Sequence, residues 1–126
     1  MINQYNKIYN LLIINRIMTL EDNQKDVDEW AKQFNPPYWP ALEQMARLSE
    51  ETGEVAREIN HLHGTKKKKS SEETKELGDE LIDILFTICC IANNHNINLE
   101  EHWQKMKEKK MTRDNNRFEK KEDKKE

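Results

Sequence analysis

The chain has 126 residues, 36% of them charged, with 21 Lys and Arg against 24 Asp and Glu for a formal net charge of −3. That length fits one domain, and Leu, Ile, Val and Phe supply only about a fifth of it, so the near-balanced charge points to a folded protein with a thin core rather than to a disordered one. Three Gly and three Pro exclude a turn-rich β-sandwich, and the longest apolar run, 84–92, is far too short to span a membrane.

Residues 1–17 include most of an apolar run over 8–18, which Asn10, Asn15 and Arg16 interrupt, and no small-residue cleavage site follows them. They read as a poorly ordered N-terminal extension ahead of a domain over 18–118. From 26 to 34, Val27, Trp30, Ala31 and Phe34 fall at i, i+3, i+4 and i+7, one apolar helical stripe. Pro36, Pro37 and Pro40 break it, because a proline in a helix interior removes a donor and clashes with the preceding turn. A second helix is expected over 40–63, with Leu42, Met45, Leu48, Thr52, Val55, Ile59 and Leu62 facing inward and Gly64 as its stop.

The run Lys66, Lys67, Lys68, Lys69 marks a loop. Ser70 or Ser71 is expected to cap a third helix over 71–93, with Leu77, Leu81, Ile84, Leu85 and Ile88 inward. An Asn-rich turn over 93–98 leads to a fourth helix from Leu99, carrying Trp103, Met106 and Lys110, and 119–126 is a charged tail. Cys89 and Cys90 are neighbours on a helix, which suits neither a disulfide nor zinc; they read as small buried hydrophobes in a reducing cytoplasm. A core this thin is expected to finish burying itself by homo-oligomerisation, as a homodimer or tetramer.

The carboxylates carry the chemistry. Glu51 and Glu54 share a face of the second helix, and Glu76, Asp79, Glu80 and Asp83 cluster at i, i+3, i+4 and i+7 on the third. Like charges at these spacings repel, so the two stripes need a compensating cation or must stay in solvent, and the absence of interleaved Lys or Arg in the second cluster favours the cation. Gly53 and Gly78 beside them suggest close backbone approach. At roughly 100° per residue, Glu80 borders the apolar stripe whereas Asp79 lies nearly opposite it. Glu80 with Asp83 is therefore the better inward pair. An all-oxygen set suits Mg²⁺, with Mn²⁺ as a substitute. A di-iron bundle needs two Glu-x-x-His segments, and Glu58 with His61 is the only one here. No nucleophile triad or glycine-rich phosphate loop is present. Nucleic-acid binding is disfavoured by the net negative charge and by basic runs without interleaved aromatics.

The segment from Leu48 to Ile59, with Glu51-Thr52-Gly53-Glu54 at its centre, followed by Glu80-Leu81-Ile82-Asp83-Ile84-Leu85, resembles the MazG-like nucleoside triphosphate pyrophosphohydrolases, in particular their short single-domain YpjD-like branch. The likeness continues through 90–93 and 98–101 to the segment from Met111 to Phe118. It implies an all-α, four-to-five-helix MazG-like bundle and a cytoplasmic housekeeping hydrolase that cleaves a (deoxy)nucleoside triphosphate between its α and β phosphates, giving the monophosphate and pyrophosphate. Mg²⁺ would be held by Glu51, Glu54, Glu80 and Asp83, and Glu76, one turn before Glu80, would orient a metal-bound water. Lys110, Arg113 and Arg117, at i, i+3 and i+7 in the basic C-terminal stretch, are the candidate phosphate contacts. Trp30, Phe34 and Trp39, with Tyr38, are the candidate base platform. Two alternatives stay open: a phosphoribosyl-ATP pyrophosphohydrolase-like enzyme, and a non-catalytic helical dimer whose acidic face binds a basic partner.

Overall fold

The computed structural model describes residues 18–69 and 76–121. The extension 1–17, the expected caps Ser70 and Ser71 and the final residues of the tail lie outside them. The described chain is all-α, with four helices and no strand. α1 spans Leu20–Ala31, α2 Ala41–His63, α3 Leu77–Asn94 and α4 Leu99–Thr112.

α1 begins earlier than its apolar stripe does, because Thr19 and Asp22 form a capping box. Thr19 Oγ1 accepts the Asp22 N–H at 3.1 Å, and the Asp22 carboxylate accepts the Thr19 N–H at 3.1 Å. α2 stops at Gly64, whose N–H donates to the Asn60 carbonyl at 2.7 Å. α3 starts at Leu77 with Glu76 as its N-cap, later than the expected start. Asn98 caps α4 by accepting the Glu101 N–H at 3.2 Å.

α3 is the central element: α2 and α1 both pack on it, and α4 packs on α1. The inward face of α2 differs from the expected one. Its buried residues are Gln44, Glu51 and Glu58, seven apart, whereas Leu42 is 86% exposed, Met45 54% exposed, and Thr52, Ile59 and Leu62 are exposed as well. The polar line and the apolar stripe lie about 70–80° apart around the helix, and half-buried Leu48 and Val55 fall between them. On α3, Leu81 and Ile82 are likewise exposed, while Glu80 and Thr87 are buried. An apolar stripe requires cover but does not say which chain supplies it. The buried apolar set is Val27, Ala31, Cys89 and Ala92. The glycine expectation fails too: a Cβ added at Gly53 or Gly78 would meet nothing within 4 Å.

A polar hub does much of what the small core cannot. The buried Gln24 side chain donates to Asn93 Oδ1 at 2.9 Å and to the Ile97 carbonyl at 2.7 Å, and accepts the Leu99 N–H at 2.8 Å. Asn93 Nδ2 donates back to the Gln24 carbonyl at 2.9 Å and to Tyr38 Oη at 3.0 Å, and Tyr38 donates to Asp28 Oδ1 at 2.7 Å. Burial, with the Asp28 carboxylate beside it, pushes the Tyr38 phenol up to about 12, so it stays a donor. This network ties α1, the proline segment and the α3–α4 turn together. Gln24→Leu strands several of these groups at once and is predicted to lower stability by about 2–4 kcal/mol in urea unfolding. A loss under about 0.5 kcal/mol, the range of an ordinary surface change, would show that the hub is dispensable.

Candidate active site

The two acidic motifs meet where α2 crosses α3. Glu51 lies on the buried line of α2, Glu80 sits in the first turn of α3 and Asp83 one turn further on. One carboxylate oxygen from each lies within 4.8 Å of the others. Glu80 is completely buried, Glu51 is buried and Asp83 half-buried, whereas Asp79 and Glu76 are exposed. The inward register of the Glu80 and Asp83 pair is therefore the observed one. Glu54 lies outside the close triad, half-buried, with its Oε2 3.7 Å from Arg57 Nη1.

Three carboxylates at this separation repel one another strongly when they are out of water. Among the described residues, a helix terminus and an arginine oppose that repulsion. The N-terminal end of α3 favours negative charge in its first turn, where Glu80 stands. The arginine is Arg47, whose guanidinium pairs with Glu51 and lies 3.1 Å from Glu50 Oε2. Arg47 is one turn before Glu51 on α2. That i, i+4 spacing is plain in the sequence, whereas the expected phosphate cations, Lys110, Arg113 and Arg117, lie near the C-terminus.

Two cavities flank the triad. The smaller, about 610 Å³, is acidic and lined by Glu50, Glu51, Glu54, Glu58 and Asp83, with Arg47 and Arg57. The larger, about 810 Å³, is walled by Trp30, Phe34, Trp39 and Phe86, with Tyr38, Gln44 and Thr87 among its polar groups. Arg47, Glu51 and Asp83 line both, so two of the three carboxylates stand on the wall shared by an acidic and an aromatic space, and the buried Glu80 lies behind it. Trp30 anchors the aromatic side, its ring 4.8 Å from Phe34 and 5.4 Å from Phe86, centroid to centroid. Phe86, Gln44 and Thr87 carried no recognisable signal in the sequence.

Lys110, Arg113 and Arg117 line neither cavity. Lys110 and Arg113 lie 3.7 and 3.0 Å from the Asp114 carboxylate, which Arg113 holds below its usual range, and Arg117 lies against Phe118. Lys110 lies on α4, which packs on α1, and Arg113 and Arg117 follow its C-terminal end, so one chain does not bring them to the triad.

The sequence matches the MazG nucleotide pyrophosphohydrolase domain across residues 41–118. The chain belongs to the MazG nucleotide pyrophosphohydrolase family. It is 44% identical over 105 residues to the uncharacterised protein YpjD of Bacillus subtilis (strain 168), covering 83% of this chain and 95% of that one. The crystal structure of Bacillus subtilis YpjD superposes with a TM-score of 0.66 at 42% identity, over 75% of this chain and 96% of that one. A Bacillus-conserved MazG protein described as a nucleotide pyrophosphohydrolase does so at 0.63 and 40%, over 75% and 90%. The matched MazG span contains α2, α3 and α4, and so both carboxylate motifs. No helix among the described residues is long and apolar enough to cross a membrane.

At the far end of the acidic cavity, the buried Glu58 accepts a hydrogen bond from Lys68 Nζ at 2.9 Å. Lys68 holds the Glu58 carboxyl below its ordinary value of 4.5. A carboxylate with a depressed folded pKa adds stability above that ordinary value and loses it as pH falls through the folded pKa. Removing the ammonium brings the loss on at higher pH. Lys68→Ala is thus predicted to raise the midpoint of acid unfolding while changing neutral-pH spectra little. An unchanged midpoint would mean that the pair contributes nothing to folding.

Proposed function

We infer that this chain hydrolyses a (deoxy)nucleoside triphosphate to the monophosphate and pyrophosphate in a Mg²⁺-dependent reaction. Family membership supplies the pyrophosphohydrolase activity. The observation that carries the finer reading is the carboxylate triad, two of whose members, Glu51 and Asp83, line both an acidic and an aromatic cavity. That arrangement suits a ligand with a planar base at one end and a polyanion at the other.

The donor set fits the ion: carboxylate oxygens match Mg²⁺ or Mn²⁺, which keep several waters and take their remaining contacts from substrate phosphates. Glu51, Glu80 and Asp83 would hold it, with Glu54 alongside. When bound, it would neutralise the triphosphate and lower the pKa of an attacking water. The α–β phosphoanhydride breaks with uptake of that water, and pyrophosphate leaves. Trp30, Phe34 and Trp39 form the proposed base platform, since aromatic faces accept any base by stacking. Glu76, exposed at the start of α3, is assigned the weaker task of accepting a hydrogen bond from water at the site. Lys110, Arg113 and Arg117 enter the reading as phosphate contacts supplied across an interface between copies. Residues 18–118 are the proposed catalytic domain, and the cytoplasm its compartment.

A homodimer or tetramer belongs to the same proposal. Leu42, Met45, Ile59, Leu62, Leu81 and Ile82 leave an apolar face on α2 and α3 that a second copy would cover. Light scattering is predicted to give an integral multiple of 15.1 kDa; a monomer at high concentration would contradict it.

Pyrophosphate release from a panel of NTPs and dNTPs tests the activity directly. Chelation with EDTA is predicted to abolish it. Glu51→Gln, Glu54→Gln, Glu80→Gln and Asp83→Asn should each lower turnover by about two orders of magnitude or more, Glu76→Gln less, and Asp79→Asn scarcely at all. Glu80→Gln should also raise the melting temperature of the metal-free protein, because it removes one of three crowded charges. Full activity after exhaustive chelation, or an Asp79→Asn variant as inactive as Asp83→Asn, would overturn the assignment.

A further inference from the structure

Arg47 stands at the junction of the two cavities and lines both. Its side chain is 48% exposed, yet it reaches a Glu51 side chain that is 5% exposed. The guanidinium thus covers a buried carboxylate from the solvent side, with exposed Glu50 as its other anchor at 3.1 Å. In the metal-free protein it supplies positive charge to the triad. A divalent cation held by Glu51, Glu80 and Asp83 satisfies that same charge. Two cations drawn to one carboxylate at close range repel each other, so ion and guanidinium compete for Glu51.

The competition has a spatial consequence. Arg47 is rooted on α2 one turn from Glu51, so a guanidinium released from that carboxylate stays beside the shared wall. A nucleotide with its base among the aromatics and its phosphates at the triad must cross there. Guanidinium groups bind phosphate oxygens through two parallel N–H donors, a geometry that lysine does not reproduce. Arg57 lines the acidic cavity alone, and Lys68, Lys110, Arg113 and Arg117 line neither, so among the described residues Arg47 is the cation placed at the junction of the two.

We propose that Arg47 is an exchangeable counter-ion: it neutralises Glu51 in the metal-free protein and passes to the phosphates of the nucleotide once a divalent cation occupies the triad. The second half rests on the pyrophosphohydrolase reading above; the first half does not. The exchange makes cation and nucleotide binding mutually reinforcing, because each ligand favours the same position of Arg47.

The test uses the full chain, with Arg47→Gln and Arg47→Lys as variants and melting curves to establish that each folds. Calorimetric titration of Mn²⁺ alone is expected to show about fivefold tighter binding to Arg47→Gln than to the wild type, since the competitor is gone. A non-hydrolysable α,β-methylene dNTP, titrated at saturating Mg²⁺, is expected to bind Arg47→Gln about tenfold or more weakly. In turnover the loss should appear mainly in KM. Arg47→Lys should fall between the wild type and Arg47→Gln in both titrations. Opposite signs in the two arms are the signature, because a distorted site weakens both. Mn²⁺ affinity that is unchanged or lower in Arg47→Gln overturns the exchange, and undiminished nucleotide affinity overturns the transfer to phosphate. A wild type that binds Mn²⁺ but no nucleotide in the panel overturns the pyrophosphohydrolase reading and the transfer with it; the Mn²⁺ arm then judges the counter-ion role alone.

Discussion

Holding Glu51, Glu80 and Asp83 with oxygens within 4.8 Å of one another is the constraint on which the rest of this chain depends. Carboxylates in that position lose hydration and repel, and no rotation of either helix relieves them without dispersing the site. The α2 helix therefore turns its polar line, Gln44, Glu51 and Glu58, toward α3, and its apolar stripe faces outward. A core of Val27, Ala31, Cys89 and Ala92 is what remains inside. The exposed apolar face and the buried acidic face are two consequences of one choice of rotation.

Hydrogen bonds take over where the apolar core is small. The hub of Gln24, Asn93, Tyr38 and Asp28 joins α1, the proline segment and the end of α3. Tyr38 gives the hub a role in the site. Its hydroxyl belongs to the network while its neighbours Pro37 and Trp39 wall the aromatic cavity, so the polar anchor holds the proline segment against α1 and the C-terminal end of α3. The stability of α1 and the shape of the cavity are thus set by the same few contacts.

Much of the site was legible because helical periodicity is a strict geometric rule. Angular position alone ranked Glu80 and Asp83 above Glu76 and Asp79, and the burial of Glu80 follows that ranking. Gly64 and Asn98 ended and began helices for local reasons that the sequence carries in full. The capping box at Thr19 is equally local, but the apolar stripe of α1, which begins later, drew the helix start away from it. What stayed illegible depends on long-range packing. The spacing of Lys110, Arg113 and Arg117 is plain, yet nothing in it says that α4 docks on α1. The stripe of Leu42, Met45 and Ile59 is plain too, but periodicity cannot tell an inner face from one reserved for another copy. Arg47 carries no signal of this role in the sequence because its meaning comes from the two cavities it joins, which exist only once the helices are packed.

The central claim is that the triad is a cation site, and anomalous scattering from crystals grown with Mn²⁺ tests it most directly. The account predicts an anomalous peak at about 2.0–2.3 Å from oxygens of Glu51, Glu80 and Asp83, absent from crystals of Glu80→Gln. A peak seated elsewhere in the protein, or a triad that stays empty at saturating Mn²⁺, would contradict it.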